Sequence, residues 1–281
     1  MTYSQTERII PVAEPRIEHR RLDLAVKDIV GGLLDWRIWM MLATADIRGR
    51  YRRSRFGQLW LTLSMAITIM ALALVYSTLF KQDLRAYLPF LSAGIILWGF
   101  LAGMINESAQ TFIEAEGYLR NVAMPKSMFV YRVLLRNLIV FAHNIILMPL
   151  VLLVLWVPVG WVILMVIPAL LLIMANGLWM GLILGTLSAR FRDMPQIIAS
   201  IVQVMFFISP IIWRPEQLQD RLPFLTLWNP FASFIAIFRD PLLGQMPNLQ
   251  NYLTALAVTA VGFLIAVPFF ARFRSRIVFY L

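Results

Sequence analysis

The chain has 281 residues, of which 60% are hydrophobic and only 14% are charged, whereas soluble domains average about 45–50% apolar and about 25% charged residues. A soluble fold of this size could not bury so much apolar surface, so the composition indicates a membrane protein. In a soluble protein the net charge of +10 would suggest binding to nucleic acid. Because the composition indicates a membrane protein, we expect no nucleic-acid partner. The absence of cysteine excludes disulfides, thiolate nucleophiles and cysteine-bound metals.

Residues 1–34 form a polar start to the chain. They carry five basic and five acidic side chains together with Pro11 and Pro15. This composition predicts a cytoplasmic extension with at most a short helix over residues 22–30. The segment suggests no chemistry of its own.

Residues 35–57 predict an amphipathic helix in the membrane interface. Apolar residues recur there at helical spacing, and five arginines fall within eight residues. Such a helix places its aromatic face in the headgroup layer and its arginines on phosphates of membrane lipids or on a partner protein. A plain topology signal before the first span is the alternative. The apolar positions are Trp36, Trp39, Met40, Ala43 and Ile47, and the arginines are Arg48, Arg50, Arg52, Arg53 and Arg55.

Six stretches are long and apolar enough to cross a bilayer, which takes about 20 residues. The third and fourth come from one uncharged run of 53 residues, Asn137 to Ala189, in which Pro158 and Gly160 make a turn. We therefore predict an all-α integral membrane protein with its membrane domain over residues 58–271 and a basic tail over 272–281. The spans are about 58–80, 87–106, 137–157, 161–187, 195–213 and 251–271.

The basic residues divide unevenly between the two sides of these six spans. Twenty of the 25 Lys and Arg residues fall on the side that holds both termini. Because loops rich in Lys and Arg stay in the cytoplasm, both termini are predicted to be cytoplasmic.

The cytoplasmic loop over residues 107–136 is the most informative of the soluble segments. The second span is expected to continue as a helix below the membrane, to end near Gly117 and to turn before Pro125. This leaves a short exposed helix, which can fit a groove in a second protein. An ordinary helical hairpin tip is the alternative. The positions expected to meet a partner are Glu114, Glu116, Gly117, Tyr118, Leu119 and Arg120.

The segment after the fifth span is too apolar for a loop in water and too short to cross the membrane. Residues 214–250 contain five prolines around an apolar run from Phe231 to Phe238. We expect re-entrant or interfacial helices over 214–244 on the outer side. Aromatic residues there are typical of a headgroup belt, and they also suit stacking on sugar rings. They are Trp213, Phe224, Trp228, Phe231 and Phe234.

The sequence offers no energy source for transport. A phosphate-binding loop needs GxxxxGK[ST], and the nearest match, Gly94 to Gly99, is followed by Phe100 in mid-membrane. The central parts of the spans hold no Asp, Glu, Lys or Arg, although ion-coupled carriers usually place such residues there. We therefore expect a transport subunit that is not an enzyme, holds no metal or cofactor and takes its energy from another subunit.

Three motifs together resemble the membrane subunits of type 2 ABC exporters for lipid-linked polysaccharide, the O-antigen and capsule permeases. The first is RYRRSRFGQLW over residues 50–60, the second is EAEGYLRN over 114–121 with Met124-Pro125, and the third is ARFRDMP over 189–195. The resemblance covers roughly residues 36–281. Met65 departs from the pattern, because many relatives have proline there.

This resemblance implies a homodimer in the bacterial inner membrane, bound to two copies of a nucleotide-binding ATPase subunit that holds ATP and Mg²⁺. It makes 114–121 the coupling helix that docks on the ATPase. It makes 36–55 an interface helix whose arginines receive the pyrophosphate of an undecaprenyl-linked polysaccharide, and 214–244 the re-entrant helices at the periplasmic exit.

Two other functions stay open on the sequence alone. Capsular polysaccharide or teichoic acid could replace O-antigen as the substrate, because these exporters share the motifs. In a different class, an integral membrane enzyme acting on polyprenyl-phosphate lipids would also need cytoplasmic arginines. Its candidate acids are Glu107, Glu114, Glu116 and Asp193, whose spacing matches no acid–base pair.

Overall fold

A computed structural model describes residues 15–52, 57–218, 222 and 228–281, and within these ranges every regular element is helical. Short 3₁₀ turns lie at Trp161–Met165 and Arg274–Arg276. The α-helices are α1 Pro15–Leu34, α2 Trp36–Tyr51, α3 Leu59–Leu79, α4 Leu84–Glu114, α5 Glu116–Asn121, α6 Ser127–Asn144, α7 Leu147–Val154, α8 Val166–Arg190, α9 Met194–Ile208, α10 Pro215–Leu218, α11 Pro230–Leu242, α12 Leu249–Phe273 and α13 Ile277–Tyr280.

In the described part of the chain, five helical segments are long and apolar enough to cross a membrane. They contain α3, α4, the α6–α7 pair, α8 and α12. The predicted span over 195–213 corresponds to α9, which has only 15 residues and is therefore about 22 Å long. It ends at Ile208 because Pro210 favours an extended conformation at the residue before it, Ser209, whose ψ is 148°.

Helix α4 is the buried centre of the bundle, and α3, α6, α8 and α9 pack around it. The Asp83 carboxylate caps its first turn by accepting a hydrogen bond from the backbone N–H of Arg85 (3.3 Å). The helix continues below the predicted span, as expected, but it ends at Glu114 instead of near Gly117. Gly117 lies inside the next helix, α5.

The helix that contains the predicted third span begins before that span. Helix α6 starts at Ser127, ten residues before the expected start at Asn137. Arg132 and Arg136 therefore lie on the same helical segment as the predicted span, near the end at which α6 begins. The absence of charge was a poor guide to the start of this helix, because a helix can hold arginines inside the protein when carboxylates pair with them.

Residues 15–34 form a 20-residue helix, longer than the short helix expected over 22–30. The buried Asp28 carboxylate accepts hydrogen bonds from the backbone N–H of Ser127 (3.0 Å) and from Arg274 Nη1 (2.7 Å). These contacts place α1 beside the start of α6 and the last residues of the chain. We call this side of the bundle, with α1, α5, the start of α6 and residues 274–281, the charged end.

The other side of the bundle, which we call the opposite end, holds residues 155–160, residues 209–218 and α11. Helix α9 runs between the two ends. Arg192, just before it, donates to the carbonyl of Leu281 at the charged end (3.0 Å). Ile212, just after it, accepts a hydrogen bond from the buried Tyr87 hydroxyl at the start of α4 (2.7 Å).

Helices α8 and α12 approach closely at Gly262. A Cβ at this position would collide with the indole ring of Trp179. The ring cannot move aside without loss, because its Nε1 donates to Asn176 Oδ1 (2.8 Å) and the Asn176 amide donates to Thr259 Oγ1 on α12 (2.6 Å).

Replacing Gly262 with alanine is therefore expected to destabilise the purified protein by about 1–3 kcal/mol, as overpacking typically does. Thermal unfolding in detergent measures the effect. Gly49→Ala is the matched control, because Gly49 is also helical and a Cβ there meets nothing within 4 Å, so stability should be unchanged or higher. Equal midpoints for the two variants would contradict this account of the α8–α12 contact.

Candidate coupling site at the charged end

Arg132, on the second turn of α6, anchors helix α2. Its Nε and Nη2 donate to the two carboxylate oxygens of Asp46 at 2.7 and 2.6 Å. This two-point geometry uses the planar fork of the guanidinium and is among the stronger ion pairs in proteins. Helix α2 is thereby fixed along α6.

Arg136 lies one helical turn further along and is only 3% exposed. Its guanidinium donates to Glu107 (2.7 Å) and Glu114 (3.1 Å) on α4, and to Asp46 on α2 (3.1 Å). A buried cation is costly unless it is paired and hydrogen-bonded. Here three carboxylates from two other helices supply the pairing.

Glu107 is the second branch point. Besides Arg136 it accepts a hydrogen bond from the Asn137 amide (2.7 Å) and one from the exposed Arg50 of α2 (3.2 Å). The connected side chains form one set, which we call the ion network. Its members are Asp46, Arg50, Glu107, Glu114, Arg132 and Arg136.

The network keeps Asp46 ionised. Burial by itself favours the neutral acid, but the hydrogen bonds and positive charges of Arg132 and Arg136 outweigh it and hold the pKa of Asp46 below its usual value. The contacts of Asp46 with both arginines are therefore ion pairs at neutral pH.

Helix α5 follows the network after a break at Ala115. Leu119 is buried and faces the protein, whereas Gly117, Tyr118 and Arg120 are exposed. Glu116 forms an ion pair with Arg120 one turn later (2.9 Å).

The structure separates Glu114 from the other five positions expected to meet a partner. Its carboxylate binds the buried Arg136 although the Glu114 side chain is itself exposed, whereas Glu116 and Arg120 pair with each other at the surface of α5. The Tyr118 ring lies 5.8 Å from the guanidinium carbon of Arg132. The outward-facing surface of α5 is therefore close to the ion network.

The arginines of the predicted interface helix differ in their surroundings. Arg48 and Arg52 are exposed, whereas Arg50 is tied to Glu107. Arg53 and Arg55 lie outside the described residues.

The apolar face of α2 is divided between protein and surface. Ala43 and Ile47 are buried against α6, and the Trp39 ring packs 6.0 Å from that of Tyr131. Trp36 and Met40 are exposed. Only part of the face assigned to the headgroup layer is therefore available to lipid, because α6 covers the rest.

The aromatic residues predicted for the outer mouth are at the opposite end, in different environments. Trp228 is 84% exposed, but Phe234 is 6% exposed and is a core residue of this chain. Phe231 is half-buried with its ring 5.6 Å from that of Trp98, and Trp213 Nε1 donates to the carbonyl of Phe207 (3.1 Å). Phe224 lies outside the described residues.

Sequence reasoning missed Asp46, Arg132 and Arg136 as site residues. Two signals were present. Arg132 and Arg136 are four residues apart and so share a helix face, and Glu107 and Glu114 are seven apart and also share one. Which acids meet which arginines depends on how α2, α4 and α6 pack.

Replacing Arg136 with glutamine should destabilise the protein by about 3–5 kcal/mol, because three carboxylates lose their shared buried cation. Arg120→Gln removes an exposed i,i+4 pair and should cost less than about 1 kcal/mol. Unfolding midpoints of both variants in detergent test this contrast. Similar losses in the two would show that Arg136 is not the centre of the charged end.

Comparison with known proteins agrees with this architecture. Residues 39–243 match the family described as ABC-2 type transporter. The O-antigen export system permease protein RfbA of Klebsiella pneumoniae is 25% identical over 267 residues, covering 90% of this chain and 96% of that protein. RfbA of Myxococcus xanthus is 24% identical over 231 residues (78% and 86%), and the polysialic acid transport protein KpsM of Escherichia coli is 24% identical over 208 residues (70% and 78%). The chain belongs to the ABC-2 type transporter family.

Proposed function

We propose that the chain is the membrane permease subunit of an ABC exporter that moves undecaprenyl-pyrophosphate-linked polysaccharide, of the O-antigen type, from the cytoplasm to the periplasm. Similarity to O-antigen export permeases over up to 90% of the chain carries this proposal. The similarity to a polysialic acid transport protein supports capsular polysaccharide as the second candidate substrate. Teichoic acid export has no such support among these relatives.

The proposed subunit is a homodimer in the bacterial inner membrane, with two ATPase subunits that hold ATP and Mg²⁺. The charged end faces the cytoplasm, in line with the bias of Lys and Arg toward the side of both termini. Six crossings follow if α9 counts as the fifth, since the residues that flank it contact opposite ends of the bundle.

In this proposal α5 is the surface on which the ATPase docks. Glu114, two residues before α5 begins, is bound to Arg136, and Arg136 is bound through Asp46 to α2. A displacement of α5 driven by ATP closure would pull on the end of α4 at Glu114, and it would therefore act on α2 and α6 as well, because the ion network joins α4 to both. The chain itself transmits the movement of the ATPase to its membrane helices and forms the pathway for the polysaccharide.

The proposed entrance for the lipid pyrophosphate is the arginine-rich end of α2. Arg48 and Arg52 are exposed, and Arg50 lies between them, beside Glu107 of α4. Guanidinium groups bind phosphate oxygens at two points, which suits a pyrophosphate. The alternative of a membrane enzyme is weaker, because Glu107 and Glu114, two of its four candidate acids, already bind Arg136.

Reconstitution tests the proposed function. Proteoliposomes with this chain and its cognate ATPase should hydrolyse ATP and move lipid-linked polysaccharide to the side facing the opposite end, whereas the chain alone should do neither. Transport or chemical processing of the substrate by the chain without the ATPase would overturn the proposal.

A charge swap tests docking through α5. Glu116→Lys combined with Arg120→Glu keeps an i,i+4 ion pair, in the less favourable order, while reversing the charges presented to a partner. An unfolding midpoint in detergent close to that of the unmodified chain verifies that the fold is retained. We expect at least about a tenfold loss of polysaccharide transport, since like charges at an interface suppress association.

The matched control for this swap is Asp23→Lys with Lys27→Asp, which reverses two exposed residues at the same spacing on α1. It should leave transport unchanged. Full transport by the α5 swap would remove the docking role from these two charges.

A further inference from the structure

A polar cavity of about 480 Å³ lies at the opposite end, between α4, α11, the start of α12 and residues 214–216. It is distinct from the ion network and from the arginines of α2. Its ionisable and amide lining residues include Arg85, Arg214, Arg239, Glu216, Asp240 and Asn251.

Arg239 is the unusual residue of this cavity. It is 3% exposed, and its Nη1 donates to the carbonyl of Pro210 (2.7 Å). Its guanidinium carbon lies 3.9 Å from the ring centre of Phe90, and that of Arg214 lies 5.1 Å from the same centre. The two cations are therefore no more than about 9 Å apart.

Neither cation has an ionic partner in the described part of the chain, where no carboxylate oxygen lies within 4.0 Å of Arg239 or Arg214. Arg214 donates to the carbonyl of Ala86 (3.2 Å), but its buried Nε has no acceptor among the described residues. Arg136, by contrast, is equally buried and has three carboxylates. A buried cation without a directly paired anion is costly. Three arginines and two carboxylates, Glu216 and Asp240, line the cavity, so one positive charge is left over for an anionic ligand.

Arg239 remains a cation at neutral pH. Burial lowers its pKa to about 10, against the opposing effect of Asp240 and Glu216, and this value still leaves it protonated. Phe90 offers the face of its ring to the charge, which compensates part of the lost hydration. The remaining guanidinium donors and the Asn251 side chain can bind the oxygens of a phosphate group.

The position of the cavity along the membrane normal indicates what kind of molecule would supply a phosphate group. Val157 lines it, and the neighbouring Trp156 is 88% exposed, as is Trp161 after the turn. Exposed tryptophans at the end of a membrane bundle are typical of the headgroup layer. The cavity therefore lies at the level of lipid headgroups.

We propose that this cavity binds the phosphate of a phospholipid headgroup. This assignment depends on the proposed function in one respect: the orientation proposed there places the cavity in the outer leaflet. The phosphate neutralises Arg239 and Arg214, and it thereby holds α11 against α4 and the start of α12. The lipid is a structural ligand of the outer end of the permease and is separate from the transported substrate.

Thermal unfolding of the purified full-length chain in detergent tests this proposal. Dihexanoyl-phosphatidylglycerol should raise the unfolding midpoint in a saturable way. Dihexanoylglycerol, which lacks the phosphate, and inorganic phosphate, which lacks the acyl chains, should not. An equal effect of the diglyceride would show that the phosphate is not recognised, and an equal effect of inorganic phosphate would show a site for the ion alone, so either result overturns the proposal.

Asn251→Asp is the informative variant, because it puts a carboxylate of nearly the same shape into the cavity and repels a phosphate. It should weaken the phosphatidylglycerol response about tenfold or more, in line with the loss of one hydrogen bond to a charged group. Asn248→Asp is the matched control, since Asn248 is an exposed helix cap outside the cavity and aspartate caps as well.

If Asn251→Asp responded to phosphatidylglycerol as the unmodified chain does, the lipid would bind outside this cavity and the proposal would be overturned. Competition of an acidic oligosaccharide with phosphatidylglycerol would assign the cavity to the exported polymer, and it would also overturn the proposal. Neither measurement uses the ATPase or transport. Failure of the lipid site is therefore distinguishable from failure of the proposed function.

Discussion

Arg136 is a buried cation on α6, part of a helical segment long and apolar enough to cross a membrane, and the arrangement of the charged end depends on the three carboxylates that surround it. Asp46 comes from α2, while Glu107 and Glu114 come from α4. Because an uncompensated buried charge costs several kcal/mol, these helices have little freedom to move independently. The interface helix α2, the central helix α4 and helix α6 therefore form one mechanical unit.

The two ends of the bundle treat buried arginines differently. At the charged end the buried Arg136 has three carboxylates, and the result is a rigid junction. At the opposite end Arg239 is held by a carbonyl and an aromatic ring, with no carboxylate of the described residues within 4.0 Å. The first arrangement suits transmission of force, and the second suits binding of an anion.

The sequence predicted much of the architecture because the apolar composition of each segment can be evaluated without knowing its tertiary contacts. It indicated α3, α4, α8 and α12 as membrane helices and the short helix α5. It overestimated α9, since uncharged residues continue past the point where Pro210 ends the helix. It underestimated α1, whose Asp28 is buried against Ser127 and Arg274, because a polar helix becomes stable only through such contacts.

By itself the sequence determined that this is a helical membrane protein with an excess of positive charge on one side, and its motifs indicated the family. The length and hydrophobicity of each segment sufficed, because bilayer insertion responds to these local properties. Only the tertiary structure decided which charges meet. Asp46 and Arg136 are 90 residues apart in the chain, and their contact exists because α2 and α6 pack side by side. The same packing made Glu114 an internal partner, Phe234 a core residue and Arg239 a buried cation beside a cavity.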